Sequence, residues 1–369
     1  MNQKYEIEVR FKMERAFLLS VLLLYSYTSC ASNMAWRTEC VGYYQLQLPS
    51  NLEVGLYPTE RIITKDSPSG SIFGEFHKYG YQGKNVKGDY SGFYYGRYKL
   101  MISENNFMNI NEYQKRVEKL LSDNYHKYNI VSYYPDSFYL SYEKYNSFFL
   151  KKENRLYQFM KIYAEIILPG TREYFATETS ALSFLSHFQT RDLYEMPSGQ
   201  GFCLPYGFIA NDSGNEERSM AVMYRMNNHP DVMILFQDAS YQLPGMIPLN
   251  SNFERMKNYD AKDYAKWMWN NIYMLYPEQK RKLRSPGWFS VTMDGRKGSG
   301  SFLEVTRKDG NKDYGYLAFV RADPKNSTKE PDLQVFITSR SDLAEGHPQI
   351  SPDELKALAE HIVSSVKHR

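Results

Sequence analysis

The chain has 369 residues, enough for two hydrophobic cores, and its 42% hydrophobic and 24% charged residues exclude a disordered protein. Its net charge of +3 falls to +2 without residues 1–31, which carry four basic and three acidic groups, and that excess is too small for a nucleic-acid binder. An aromatic share of 16%, with 33 tyrosines, favours strands with broad half-buried faces.

Residues 16–25 (AFLLSVLLLY) follow Arg15 as an apolar run of ten, too short to cross a bilayer as a helix and the right size for a signal-peptide core. Residues 1–31 are therefore expected to be an export signal directing the chain to the periplasm, with Met13 as an alternative start. Two processing routes stay open. Ser29 and Ala31 fit small-residue cleavage before Ser32, whereas Cys30 fits lipidation and membrane anchoring. Cys40 and Cys203 remain in the exported chain, either as a disulfide joining the starts of its two halves or as two buried thiols.

Cys40 to Pro49 reads as one opening strand, half-buried because Tyr44, Leu46 and Leu48 alternate with Gln45 and Gln47, and ended by Pro49. Strands are expected near 72–81 and 90–102. A helix starts at Asn109, with Glu112 completing a capping box and Tyr113, Val117, Leu120 and Leu121 on one face. A meander over 130–134, 138–142, 148–151 and 156–166 precedes a second helix, 177–188. Then Met196 to Gly201, a Pro- and Gly-containing breaker, interrupts the chain.

After the breaker the order repeats. A strand opens at Cys203, and others fit 219–226 and 232–236, followed by a helix over 261–276. Strands at 288–293, 301–306 and 314–320 are joined by Asp294-Gly295 and Asp309-Gly310 turns, and 333–337 is the last. Ser351, Pro352 and Glu354 begin a closing helix with Leu355, Leu358, Ala359, Ile362, Val363 and Val366 on its apolar face. The reading is an α+β fold of two related domains, 38–190 and 202–366, each an antiparallel sheet with packed helices, joined by a hinge at 191–201.

No catalytic constellation emerges. The seven histidines lack metal-ligand spacing, and Gly-x-Ser-x-Gly is absent. The stretch Asp309 to Asp313 has a calcium-loop flavour, but Lys312 intrudes and a hairpin turn explains it better. Asp260 and Asp263 suit a helix N-terminus. The basic-aromatic run 84–99 fits a strand with Phe93 and Tyr95 on one face and Tyr94 and Tyr98 on the other, rather than a base-stacking platform. Neither an enzyme nor a cofactor is expected.

The segment Thr38-Glu39-Cys40-Val41-Gly42-Tyr43, the pair Leu48-Pro49, the pattern Pro197-x-x-x-Gly201-Phe202-Cys203-x-x-x-Gly207-Phe208-Ile209 and the helix from Ile350 together resemble the type VI secretion lipase-immunity proteins. The resemblance spans residues 38–366. It implies a periplasmic protein whose two domains grip a cognate secreted phospholipase of α/β-hydrolase type and block access to its active site. Departures are Tyr27 before Cys30, and Leu204-Pro205-Tyr206 where a more polar turn is usual. Binding of that kind needs exposed aromatic anchors, for which Tyr94 and Trp269 are the candidates. The alternative is an envelope lipoprotein or binding module unrelated to toxins.

Overall fold

The computed structural model describes residues 34–57, 91–96, 98–107, 109–124, 127–142, 145–161, 185–240, 260–271 and 280–369. Residues Met1–Trp36 and Arg37–Arg369 are separate units, and the second holds the fold. The strands expected near 72–81, most of the helix over 177–188 and the export signal with Cys30 lie outside the described residues.

The first half contributes β1 (Trp36–Val41), β2 (Tyr44–Pro49), β3 (Leu52–Val54), β4 (Gly92–Tyr95), β5 (Tyr98–Ile102), α1 (Ile110–Asn124), β6 (Tyr128–Tyr134), β7 (Ser137–Tyr142), β8 (Tyr145–Lys152) and β9 (Arg155–Lys161). Then come β10 (Phe188–Thr190), β11 (Gly201–Leu204), β12 (Gly207–Ala210), β13 (Arg218–Met226), β14 (Val232–Ala239) and α2 (Ala261–Asn271). The chain closes with β15 (Lys280–Leu283), β16 (Phe289–Met293), β17 (Arg296–Thr306), β18 (Lys312–Val320), β19 (Asp332–Ser339), α3 (Pro352–Ser365) and β20 (Lys367–His368).

One 14-stranded antiparallel sheet carries most of these, in the order β15-β17-β18-β19-β14-β13-β4-β5-β9-β8-β7-β6, with β16 on β17 and β3 on β13. Its topology repeats about the β4–β13 seam. On each side a hairpin (β4–β5 or β13–β14) leads to a helix and then to a meander. The meander's last strand returns to the hairpin's second strand, β9 to β5 and β19 to β14. The order of elements thus repeats within one continuous sheet, not in a separate sheet for each half as expected, with Ala221 opposite Gly92 and Arg218 opposite Tyr95 across the seam.

The three described α-helices begin where the pattern placed them. Asn109 Oδ1 accepts from the Glu112 amide at 3.1 Å, and Tyr113, Val117 and Leu121 are buried below that cap. The Tyr113 ring meets Phe107, Phe138 and Phe149. On α2, Ala265 and Trp269 pack on Leu303, Val305, Leu317 and Phe336, while the Tyr264 ring stacks on Phe319 at 3.8 Å. Helix α3 has both halves of its capping box and buries Leu355, Leu358, Ala359, Ile362 and Val363.

Three expected strands prove to be hairpins. Gly42 takes a φ of +60° and divides the one from Cys40 to Pro49 into β1 and β2, and a Cβ there would run into Asp238 Oδ2. The one near 90–102 turns at Gly96, at a φ of +53°, so that β4 and β5 pair with Phe93 opposite Leu100 and Tyr95 opposite Tyr98. The strand expected at Cys203 turns back at Pro205-Tyr206 to form β11 and β12. Phe188 starts strand β10 rather than ending a helix.

A clamped junction as candidate functional site

A dense polar cluster lies where the two opening hairpins meet. Cys40 on β1 and Cys203 on β11 form a disulfide with their Cα atoms 5.7 Å apart, both fully buried. Beside it Gly42 and Cys203 exchange two backbone hydrogen bonds of 2.9 Å. Of the alternatives open from sequence, the bonded one is present.

Next to the disulfide, Glu39 and Arg191 form an ion pair almost wholly excluded from solvent. Arg191 follows β10, and its guanidinium donates to carbonyl oxygens of Cys40 (3.0 Å), Leu204 (3.2 Å), Gly207 (3.3 Å), Asp192 (3.1 Å) and Glu195 (3.1 Å). Glu39 accepts in turn from the Tyr194 amide, and the Tyr194 hydroxyl donates to the Pro49 carbonyl. A buried pair is tolerated only when its remaining donors and acceptors are filled, and these are filled by loop backbone. The stretch 192–200 is therefore held from behind. Arg369 adds a second hold: its guanidinium lies 5.0 Å from the Phe208 ring centre and donates to the carbonyls of Pro197 and Gly199.

Deeper in, the Tyr43 and Tyr95 hydroxyls both donate to the Asp212 carboxylate. Burial, the bond to Asp212 and that carboxylate's charge push both phenols well above their ordinary range. Arg218 lies 4.4 Å from the Tyr43 ring centre and donates to Asp238 at 2.7 Å, with both charges fully buried.

Of the two anchors expected from sequence, Tyr94 is half-buried, with the Lys99 amine 5.9 Å from its ring centre. Burial pushes the Tyr94 phenol up to about 12 and the Lys99 amine down to about 8. Trp269 corrects the expectation of an exposed ring. It is 5% exposed, and its indole N–H donates to Ser301 at 2.7 Å, because Ala265 and Trp269 share the helix face turned to the sheet. The two rings are not brought together as one site.

Among the described residues no group of three His, Cys, Asp or Glu side chains could hold a metal ion. Around the Asp309-Gly310 turn, Arg307 faces Asp313 (3.1 Å), Asp342 (2.9 Å) and Asp309 (3.9 Å), so a built-in guanidinium supplies the positive charge. The clamp residues Glu39 and Arg191 escaped sequence reasoning, because no local spacing links positions 152 residues apart.

The fold is thus a repeated α+β sheet whose buried Glu39–Arg191 cluster ties down two loops. Residues 195–369 match the family model described as Tle cognate immunity protein 4 C-terminal domain, so this part of the chain is similar to the type VI secretion lipase-immunity proteins. The fold agrees with the immunity protein TplEi of T6SS from Pseudomonas aeruginosa, solved with an "L" peptide: TM-score 0.53 at 16% identity, over 90% of this chain and 98% of that one. The Tle4–Tli4 complex gives 0.52 at 16%, over 90% and 97%. No curated protein matches the sequence.

Proposed function

We propose that this chain is the periplasmic immunity partner of a type VI secreted phospholipase, which it binds stoichiometrically and occludes so that the producing cell is spared. The observation that carries the reading is the match of residues 195–369 to the Tle cognate immunity family. The fold likeness over nine-tenths of the chain extends the same architecture through the first half. In this reading the target is of α/β-hydrolase type, the halves on either side of 191–201 act as two gripping lobes, and Cys30, if lipidated, tethers the complex to the membrane. Occlusion needs surface rather than chemistry. A stable interface buries on the order of 1,600 Å², with Tyr, Trp and Arg supplying the anchors.

The test is co-expression of the chain with the lipase encoded beside it, both directed to the periplasm. Survival of the cells and co-elution of the two proteins on gel filtration are expected. Continued toxicity without a complex would overturn the reading. Palmitate labelling of wild type and Cys30→Ala, with cell fractionation, tests the tether and the compartment.

A further inference from the structure

We infer that the two turns clamped by the Glu39–Arg191 pair form a preset docking patch for the cognate lipase, with Tyr194, Tyr206, Arg37, Arg155 and Met196 as its contact residues. The inference rests on the proposed function and adds where on this chain the partner sits.

The first observation is backbone conformation. Tyr194 (φ +68°) and Tyr206 (φ +59°) both occupy the left-handed region, which is unfavourable for a bulky side chain. Such residues persist only where surroundings over-determine them, and they concentrate at ligand clamps and binding loops. Both are over-determined by the same pair. The Tyr194 amide donates to Glu39, whereas the Arg191 amide donates to the Tyr206 carbonyl at 3.5 Å, and Arg191 Nε reaches Leu204 and Gly207 on either side of that turn. Tyr157 adds a hydroxyl bond of 2.8 Å to the Tyr206 carbonyl.

The second observation is what the turns display. Each tyrosine carries an arginine on its ring: the Arg37 guanidinium carbon lies 5.0 Å from the Tyr194 centre, and that of Arg155 lies 3.7 Å from the Tyr206 centre. Tyr and Arg are the residue types that dominate interface energy, and these are ordered before a partner arrives. Between the clamp and the Arg369 hold stands Met196, 37% exposed, one of two large hydrophobics displayed among the described residues. A lone exposed methionine is ordinary, but one on a loop whose flanking carbonyls at Glu195 and Pro197 are both tied down is presented in a fixed position.

The partner surface this fits is a protein face with an apolar pocket for Met196 beside carboxylates for Arg37 and Arg155. The cognate lipase would supply it. A membrane surface would need a broader apolar area and a run of lysines, which the patch does not offer.

The experiment uses the exported chain and the purified lipase in titration calorimetry. Arg37→Glu and Met196→Glu change exposed residues of the patch, and Lys115→Glu, exposed on α1, serves as the control. Each docking variant is expected to weaken binding at least about tenfold, with an unchanged melting temperature and with the control within about twofold of wild type. If a docking variant melts lower, Arg37→Ala and Met196→Ser replace it. Wild-type affinity in both variants would overturn the patch and leave the proposed function standing. If wild type itself binds no lipase, the function falls and the patch with it.

Discussion

Glu39 and Arg191, 152 positions apart, are paired inside the protein with side chains 0% and 2% exposed. The guanidinium also ties down carbonyls at Asp192, Glu195, Leu204 and Gly207, so one charge pair fixes two turns. Removing one partner leaves the other charge buried and uncompensated. Arg191→Met should therefore cost about 3–5 kcal/mol, read as a lower urea midpoint. The double variant Glu39→Leu, Arg191→Met should recover much of that loss while leaving 192–200 open to proteolysis, because the loop's holds are gone. Equal stability of Arg191→Met and wild type would refute the account.

The disulfide closes a loop of 163 residues of sequence separation. Cross-linking so long a segment restricts the unfolded chain by an amount worth about 5 kcal/mol in the loop-entropy relation. Both sulfurs are buried beside the double backbone bridge of Gly42 and Cys203, so the paired replacement Cys40→Ala, Cys203→Ala leaves native contacts largely in place. A stability loss of several kcal/mol without change in far-ultraviolet circular dichroism is expected. The same loss should follow reduction of the wild type in denaturant.

The elements with local signatures were readable in the sequence. Asn109 with Glu112, and Ser351 with Glu354, wrote their helix starts in four residues each, and Asp294-Gly295 wrote its hairpin in two. The repeated order of elements was legible for the same reason. What escaped depends on long-range partners. Gly42 reads as an ordinary strand residue until Asp238 occupies the space where its Cβ would sit. Asp212 reads as loop until Tyr43 and Tyr95, 169 and 117 positions away, both turn their hydroxyls to it. Trp269 stands in a Trp-Met-Trp run where three successive large residues blur the phase of the apolar face. The sheet settles it by receiving Trp269 and leaving Trp267 half-buried.

That burial makes Trp269 a stability residue. Trp269→Ala should cost about 3–5 kcal/mol through the cavity against Leu303, Leu317 and Phe336, with Ser301 losing its indole donor. Trp269→Phe should recover most of the packing and not the hydrogen bond. Chemical denaturation separates the two. An Ala variant as stable as wild type would show that the ring is not part of the core.

The Tyr43 and Tyr95 hydroxyls give the fold a limit on the alkaline side. In the folded chain burial, followed by the hydrogen bond to Asp212 and its charge, keeps both protonated far above the ordinary tyrosine value, which is about 10 in the unfolded chain. Above that pH the unfolded chain binds fewer protons than the folded one, so stability falls as pH rises. The contribution is fully present below pH about 10 and is lost above it, at up to about 1.4 kcal/mol per pH unit for each tyrosine. Melting temperatures should be level from pH 8 to 9.5 and fall steeply beyond. Tyr95→Phe takes one donor from Asp212 and should melt lower than wild type at pH 8, yet lose less between pH 10 and 11. Parallel curves for the two proteins would mean that the Asp212 cluster does not set the alkaline limit.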